Sequence, residues 1–185
     1  DREDKMNDRT AGYAATAFDA IPDTGSATFR GMGTATVDRD SNTRSDDINL
    51  VGFVRLDADF KDQEISGAMS EIQGYTGRNP SAKKLFDANG RIRIGGRNSE
   101  LEMTNSGPTN RWSADYRGTL GTPEGRIVMD GELDGRFRGT QLSNGGVDAD
   151  IRAVTGSDRD GDATVGGRDA DSLKLDVMGL NDALN

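Results

Sequence analysis

The chain has 185 residues, of which 30% are charged, and a formal net charge of −9. It contains no cysteine and no histidine, which excludes disulfides, thiol nucleophiles, imidazole bases and the usual ligand sets of zinc, copper and haem. No basic patch is visible in the sequence, which disfavours nucleic acid as a partner, and no run is long enough for a transmembrane helix.

Residues 1–26 are predicted to form an N-terminal extension, partly flexible, ahead of a single domain at residues 27–185. Residues 11–20 are rich in alanine, which favours a short helix or an extended lead-in. The chain begins at Asp1 rather than at methionine, so we expect that an export signal could have been removed.

Alternation of apolar and polar residues then predicts eight β-strands. The clearest strand is residues 126–139, where Ile127, Met129, Leu133 and Phe137 share one face with three glycines, and almost every residue of the other face is charged. Glycine costs entropy in a flat strand, but on the concave side of a curved sheet it relieves crowding. The stretch therefore predicts a long, bent strand with a narrow apolar inner face. The other strands are predicted at residues 28–37, 48–60, 64–73, 91–96, 111–120, 146–154 and 172–178.

Two connections between the predicted strands have their own patterns. Asn79-Pro80 and Asn89-Gly90 enclose a segment that suits a short helix, with Asn79 as its cap. Residues 155–170 are rich in glycine and aspartate and are predicted to be a loop.

Eight sequential strands, each with one apolar face, favour an all-β fold. The economical arrangement is an eight-stranded antiparallel up-and-down barrel with a filled interior and one short helix in a loop, because closure removes the exposed edges of a sheet. Charges of both signs in the middle of the strands, and the lack of aromatic girdles, favour a soluble barrel over a membrane barrel.

Three stretches carry a resemblance to a known family. They are ATFRG at residues 27–31, LVGFVRLDADF at 50–60 followed by EISGAM at 64–69, and GRFRGTQLSNGGVDADI at 135–151. Their order resembles the barrel domains of transferrin-binding protein B and related bacterial surface lipoproteins. The resemblance implies an exported, commonly lipid-anchored protein at the outer-membrane surface that binds a host or environmental protein, or sometimes haem. The chain lacks the lipid-bearing cysteine and has short loops, so the implied role is general surface binding rather than transferrin binding.

The irregular segment before the fourth strand carries the candidate partner-binding residues Tyr75, Lys83, Lys84 and Phe86. Binding residues concentrate in loops that a rigid scaffold holds in place. The alternative is that Leu85 and Phe86 close one mouth of the barrel.

Asp158, Asp160 and Asp162 are the candidate metal ligands, since alternate spacing lets carboxylates converge on calcium. The glutamate that would complete an EF-hand loop is missing, so a solvated acidic loop is the alternative. Asp38, Asp40, Asp46 and Asp47 form a looser acidic cluster.

No catalytic signature is present. Asp57 and Asp59, and the acidic residues at 130, 132 and 134, lie on predicted wet faces where nothing excludes water. We therefore expect a non-enzymatic, exported surface protein that recognises a protein or nutrient-related ligand through loops at a barrel end. The alternatives are a calcium-stabilised structural or adhesion module and a barrel that encloses a small hydrophobic ligand. Calcium is the one candidate cofactor, and membrane contact is expected only through a lipid anchor that this chain lacks.

Overall fold

The structure of the protein, a computed structural model, describes residues 25–40, 47–76, 84–101, 111–123, 125–141, 147–155 and 161–181. All regular secondary structure in these residues is β-strand, and the strands form one antiparallel, curled, barrel-like sheet. The strands are β1 (Ser26–Asp38), β2 (Ile48–Asp59), β3 (Glu64–Thr76), β4 (Lys84–Asp87), β5 (Asn89–Leu101), β6 (Arg111–Thr122), β7 (Gly125–Gln141), β8 (Val147–Thr155), β9 (Asp162–Val165), β10 (Arg168–Asp169) and β11 (Ser172–Asn181).

The prediction of a short helix before β5 is wrong for the residues that can be checked. Lys84–Asp87 form β4, which pairs with β3. The predicted cap at Asn79-Pro80 lies outside the described residues, as does the alanine-rich segment at 11–20. The ring of Phe86 is buried against β3, so tertiary packing overrides the local helix signals.

Hydrogen-bonded pairing connects the strands in a circuit. β1 pairs with β2, β2 with β3, β3 with β5, β5 with β6, β6 with β7, β7 with β8, β8 with β11, and β11 with β1. Every one of these pairs is antiparallel. The first and last strands of the described chain are therefore hydrogen-bonded neighbours.

The described residues form eleven strands, so the predicted count of eight is wrong. β4 pairs with β3 just beyond the residues of β3 that pair with β5, so β4 and β5 follow each other along one edge of β3. In the same way, β9 pairs with the residues of β7 that precede those paired with β8, and β10 pairs with β9. Both β9 and β10 lie in the segment 155–170, which was predicted to be a loop. These three strands have four residues or fewer, which is too short for a period of two to be recognised.

Apolar side chains fill the inner face of the sheet. Apart from glycines, the residues that alternation places inside β1, β2, β6, β7 and β11 are buried in a single cluster. The Phe137 ring packs in this cluster, with its centroid 5.9 Å from that of Phe29 and 6.0 Å from that of Phe60. The prediction of one dry face and one wet face is confirmed for these strands.

Inner glycines lie beside the largest aromatic side chains. Gly135 pairs with Trp112, and Gly131 pairs with Tyr116. A Cβ atom at Gly135 would lie 1.9 Å from Cε2 of Trp112, and one at Gly131 would lie 2.6 Å from Oη of Tyr116. The glycines therefore make room for aromatic rings in a narrow interior, as the sequence predicted.

A bulge in β3 changes which of its residues face inward. The pairing of β2 with β3 shifts between Val51 and Phe53, and Glu71 adopts a left-handed conformation with φ of 51°. Before the bulge Met69 is buried, and after it Ile72 is buried three residues later. Strict alternation cannot predict this change, because one extra residue moves the following side chains to the opposite face.

The two ends of the sheet are named by their connections. The turn at 60–63 joins β2 to β3 at the β2–β3 end, and residues 39–47 join β1 to β2 at the opposite, β1–β2 end. β4 and the turn between β9 and β10 also lie at the β1–β2 end, as the pairings of β3 and β7 show. In the described residues no helix is long and apolar enough to cross a bilayer.

Candidate binding sites

The predicted partner-binding residues lie at the β1–β2 end. Tyr75 of β3 pairs with Lys84 of β4, and the Tyr75 hydroxyl donates a hydrogen bond of 2.8 Å to Oε1 of Gln73. Nζ of Lys84 lies 2.5 Å from Oδ1 of Asp87, and both side chains are exposed. Lys83 lies outside the described residues. The structure thus brings Tyr75 and Lys84 together at one edge of this end.

Phe86 belongs to the core. Its side chain is 6% exposed, and its ring covers Gly74, where a Cβ atom would lie 2.3 Å from Cζ of the ring. In this conformation the ring is inaccessible to a partner. This placement matches the packing alternative that the sequence left open for Phe86. A partner-binding role for Tyr75, Lys83 and Lys84 stays a prediction.

Of the three predicted calcium ligands, only Asp162 lies in the described residues. It is the first residue of β9, it is exposed, and it pairs with Asp130 of β7. Like charges directly opposite each other destabilise a sheet, so this pair is a local concentration of negative charge. Asp158 and Asp160 lie outside the described residues, and within those residues no group of three acidic side chains is arranged to hold a metal ion.

The looser acidic cluster surrounds the connection between β1 and β2. Oδ1 of Asp38 accepts a hydrogen bond of 3.1 Å from the backbone N–H of Asp40, so Asp38 stabilises a local turn. Asp47 is 2% exposed, and its Oδ1 atom has no hydrogen-bond partner. Asp46 lies outside the described residues. The described members of the cluster do not form a calcium site.

Asp57 and Asp59 have structural partners on the outer face. Partial burial raises the pKa of Asp57, but hydrogen bonds from Arg55 and Thr28, with the charges of Arg55 and Arg30, outweigh burial and lower its pKa below the ordinary value. Oδ1 of Asp59 accepts hydrogen bonds from the backbone N–H groups of Lys61 and Asp62 in the hairpin turn. A carboxyl with a lowered pKa is a poor proton donor at neutral pH.

Sequence reasoning missed a group of arginines on the outer face of β5 and β6. Arg91 and Arg93 project outward from β5, and Arg117 of β6 pairs directly with Arg93. Together with Thr119 and Val128 they line a surface depression of about 640 Å³. Scattered arginines look like compositional bias in the sequence. The alternate spacing of Arg91 and Arg93 indicated that both lie on one face of a strand. Arg117 is brought beside them only by the register between β5 and β6, which the sequence does not show.

Comparisons with known proteins give no further guide to the site. No protein-family model, curated protein or solved structure matches the chain. The arguments for function therefore depend on the residues and their geometry.

Proposed function

We propose that this protein is an exported, surface-associated binding protein without enzymatic activity. In this proposal the circuit of paired strands is an eight-membered, up-and-down barrel that acts as a rigid, filled support. One observation carries the proposal: the described inner-face side chains form one packed cluster, and a methyl group at Gly33 would already lie 2.8 Å from Cγ2 of Val54 and 2.9 Å from Sδ of Met69. Recognition would then occur on the outside.

The resemblance to the transferrin-binding protein B barrels supports the same assignment. It favours a bacterial cell-surface or outer-membrane location and a protein or nutrient-related ligand. The turns at 60–63 and 166–167 are short, which favours a compact contact surface at a barrel end over an extended one. The exposed Lys84 beside Tyr75 makes the β1–β2 end the better candidate.

A capture experiment with matched variants tests this proposal. The purified protein, its Lys84→Glu variant and its Lys61→Glu variant are used as baits in extracellular medium and outer-membrane extract, with calcium present or chelated. Both lysines are exposed, but Lys61 lies in the turn of the β2–β3 end. We expect one protein to be retained by the wild type and by Lys61→Glu and to be lost with Lys84→Glu. Equal retention by all three baits, or no specific retention, would contradict a binding site at the β1–β2 end.

A calcium-stabilised structural or adhesion module is the second candidate. The observation that favours it is the Asp130–Asp162 pair, which leaves two carboxylates side by side on the outer face. Calcium would relieve their repulsion, with Asp158 and Asp160 as further proposed ligands. Retention of a partner only when calcium is present would favour this candidate. The single packed cluster that the described inner-face residues form argues against the third alternative, an enclosed hydrophobic ligand.

A further inference from the structure

We propose that the outer face of β5 and β6 binds a multivalent oxyanion, a ligand with two or more phosphate or carboxylate groups. The site is the arginine depression, defined by Arg91, Arg93, Arg117, Thr119, Val128 and Asp130. It lies on the wall of the sheet and is independent of the partner-binding end proposed above.

The register places three guanidinium groups within reach of one ligand. Arg93 and Arg117 pair directly, so their Cβ atoms are about 4.5–5.5 Å apart, and Arg91 lies two residues along the same strand, about 7 Å away. Guanidinium groups bind phosphate and carboxylate oxygens with two parallel hydrogen bonds. A ligand with two acidic groups can therefore contact all three arginines.

These arginines are exposed on the outer face, and one carboxylate, that of Asp130 on β7, lies directly opposite Arg117 in the register. Neither an ion pair nor a side-chain hydrogen bond involves Arg91, Arg93 or Arg117 in the part of the chain that the structure describes. By contrast, Arg55 on β2 is bound to Asp57 at 3.1 Å. Two like charges directly opposite each other in a sheet repel, and a bound oxyanion would replace this repulsion with attraction.

The floor and rim of the depression favour a small or linear ligand over a broad surface. Gly90 and Gly118 line the depression with backbone atoms only, since a Cβ atom at Gly118 would point inward to Ile92. Val128 is 41% exposed at the rim and offers an apolar contact. Asp130 lies at the edge of the depression opposite Arg117, with Asp162 beyond it, and the chain carries a net charge of −9. An extended anionic surface would meet all of these charges, whereas a compact oxyanion bound on the Arg91 and Arg93 side would be near Asp130 at most.

Isothermal titration calorimetry with tripolyphosphate and citrate tests the proposal. The variants are Arg93→Gln/Arg117→Gln and, as a matched control, Arg111→Gln/Arg136→Gln. Arg111 and Arg136 are also an exposed cross-strand pair, on β6 and β7, but they lie outside the depression. Both double variants change the net charge equally, and circular dichroism and thermal melting verify that each is folded.

We expect the wild type and the control to bind both probes, with affinity that falls as salt increases. Affinity should be at least about tenfold weaker in Arg93→Gln/Arg117→Gln, because the variant loses the charge-assisted hydrogen bonds of two guanidinium groups. Three results would overturn the proposal. They are no binding to the wild type, an equal loss in both double variants, and binding only to vesicles of anionic phospholipid with none to the soluble probes.

Discussion

Gly135 has no alternative residue at its position, because Trp112 lies directly opposite. An added Cβ atom would lie 1.9 Å from the indole ring, far inside van der Waals contact. We expect Gly135→Ala to lower the free energy of unfolding by about 1–3 kcal/mol or more through overpacking. Urea denaturation monitored by the single tryptophan measures the change.

Gly121→Ala is the matched control for Gly135→Ala. The new Cβ would lie 3.6 Å from Cβ of Asn89, an ordinary contact, and no positive φ is involved. Its free energy of unfolding should stay within about 0.5 kcal/mol of the wild type. Equal effects of the two substitutions would show that loss of glycine flexibility, rather than crowding against Trp112, controls stability.

Asp57 makes a pH-dependent contribution to stability. Because its folded-state pKa is lowered, its stabilising effect is present above its unfolded pKa of about 3.9 and is lost as pH falls through the folded value. Asp57→Asn should therefore be less stable than the wild type at pH 7, and the difference should shrink below about pH 4. The side chain is 41% exposed, so the effect should stay below about 1 kcal/mol.

A double-mutant cycle with Arg55→Gln tests the cause of that effect. Arg55 supplies the hydrogen bonds at 3.1 Å and most of the nearby positive charge. In the Arg55→Gln background, Asp57→Asn should change the pH dependence much less. An unchanged pH profile in that background would assign the effect to Thr28 and Arg30 instead.

The sequence predicts the inner and outer faces of individual residues well where strands are long and regular. Alternation identified Ile127, Met129 and Leu133 as core residues of β7, and all are buried. It failed at Ile72, because the bulge depends on the pairing of two strands. It also could not bring Arg117 beside Arg93, since that contact depends on register between strands.

At the scale of secondary-structure elements, β4 pairs with β3 and buries the side chain of Phe86 in the core. Phe86 is buried over Gly74, whereas Lys84 is exposed. We expect Phe86→Ala to lower the free energy of unfolding by about 3 kcal/mol. Lys84→Ala removes only the exposed ion pair with Asp87, so it should lower the free energy of unfolding by less than about 1 kcal/mol. A Phe86→Ala protein with wild-type stability would show that the ring does not belong to the core.

The strands β8 and β9 follow the same edge of β7 with a break between them. Thr155 pairs with Leu133, and Asp162 pairs with Asp130. Six residues, 156–161, therefore lie between the two pairings on this side, whereas β7 has only two, 131–132. The excess is four residues. The pairing with β11 gives the same excess, since Ala153 pairs with Val177 and Gly161 with Leu173. Both neighbours thus agree on a four-residue insertion, which includes two of the predicted calcium ligands, Asp158 and Asp160.

Removal of four residues should restore one continuous strand. A deletion of residues 157–160 leaves Gly156 and Gly161 opposite Glu132 and Gly131, with the inner and outer faces kept. Its free energy of unfolding should lie within about 1 kcal/mol of the wild type, because a short surface insertion contributes little. A deletion of residues 157–159 leaves one extra residue, which is incompatible with the registers to β7 and to β11. It should lower the free energy of unfolding by about 2 kcal/mol or more. Urea denaturation distinguishes the two.

The same deletion tests the calcium candidate. If Asp158 and Asp160 bind calcium, the ion should raise the melting temperature of the wild type by several degrees and leave the 157–160 deletion unchanged. Equal melting temperatures with calcium and with chelator in the wild type would remove calcium from the proposed function. The length of the connection between β8 and β9 can be counted in the sequence. That β8 and β9 are two parts of one interrupted strand is shown only by their pairings with β7 and β11.

At the scale of the whole molecule, the circuit closes through β1 and β11, the first and last strands of the described chain. No local pattern in the sequence encodes this contact. Strand number and the need to protect edges favoured closure, but the partner of each edge follows from tertiary packing. Such a non-local contact requires a large loss of chain entropy before it forms, and closure should therefore be among the later events in folding.

An engineered disulfide tests closure directly, since the chain has no other cysteine. Thr36 of β1 pairs with Lys174 of β11 on the outer face, so Thr36→Cys/Lys174→Cys should form an intramolecular bond under mild oxidation at low protein concentration. Because the bond would close a loop of more than 100 residues, it should raise the free energy of unfolding by up to about 4–5 kcal/mol. Mass spectrometry of proteolytic peptides and urea denaturation measure both effects.

The control for the disulfide is Thr36→Cys/Arg126→Cys. Arg126 is exposed on β7, which does not pair with β1 in the described circuit, so this variant should stay reduced or form only intermolecular bonds. If β1 and β11 were separate edges, the Thr36/Lys174 variant would behave like this control, and the sheet would be open at that side. An intramolecular bond in the Thr36/Lys174 variant alone requires the two strands to be neighbours in the folded protein, since chain connectivity favours neither pair.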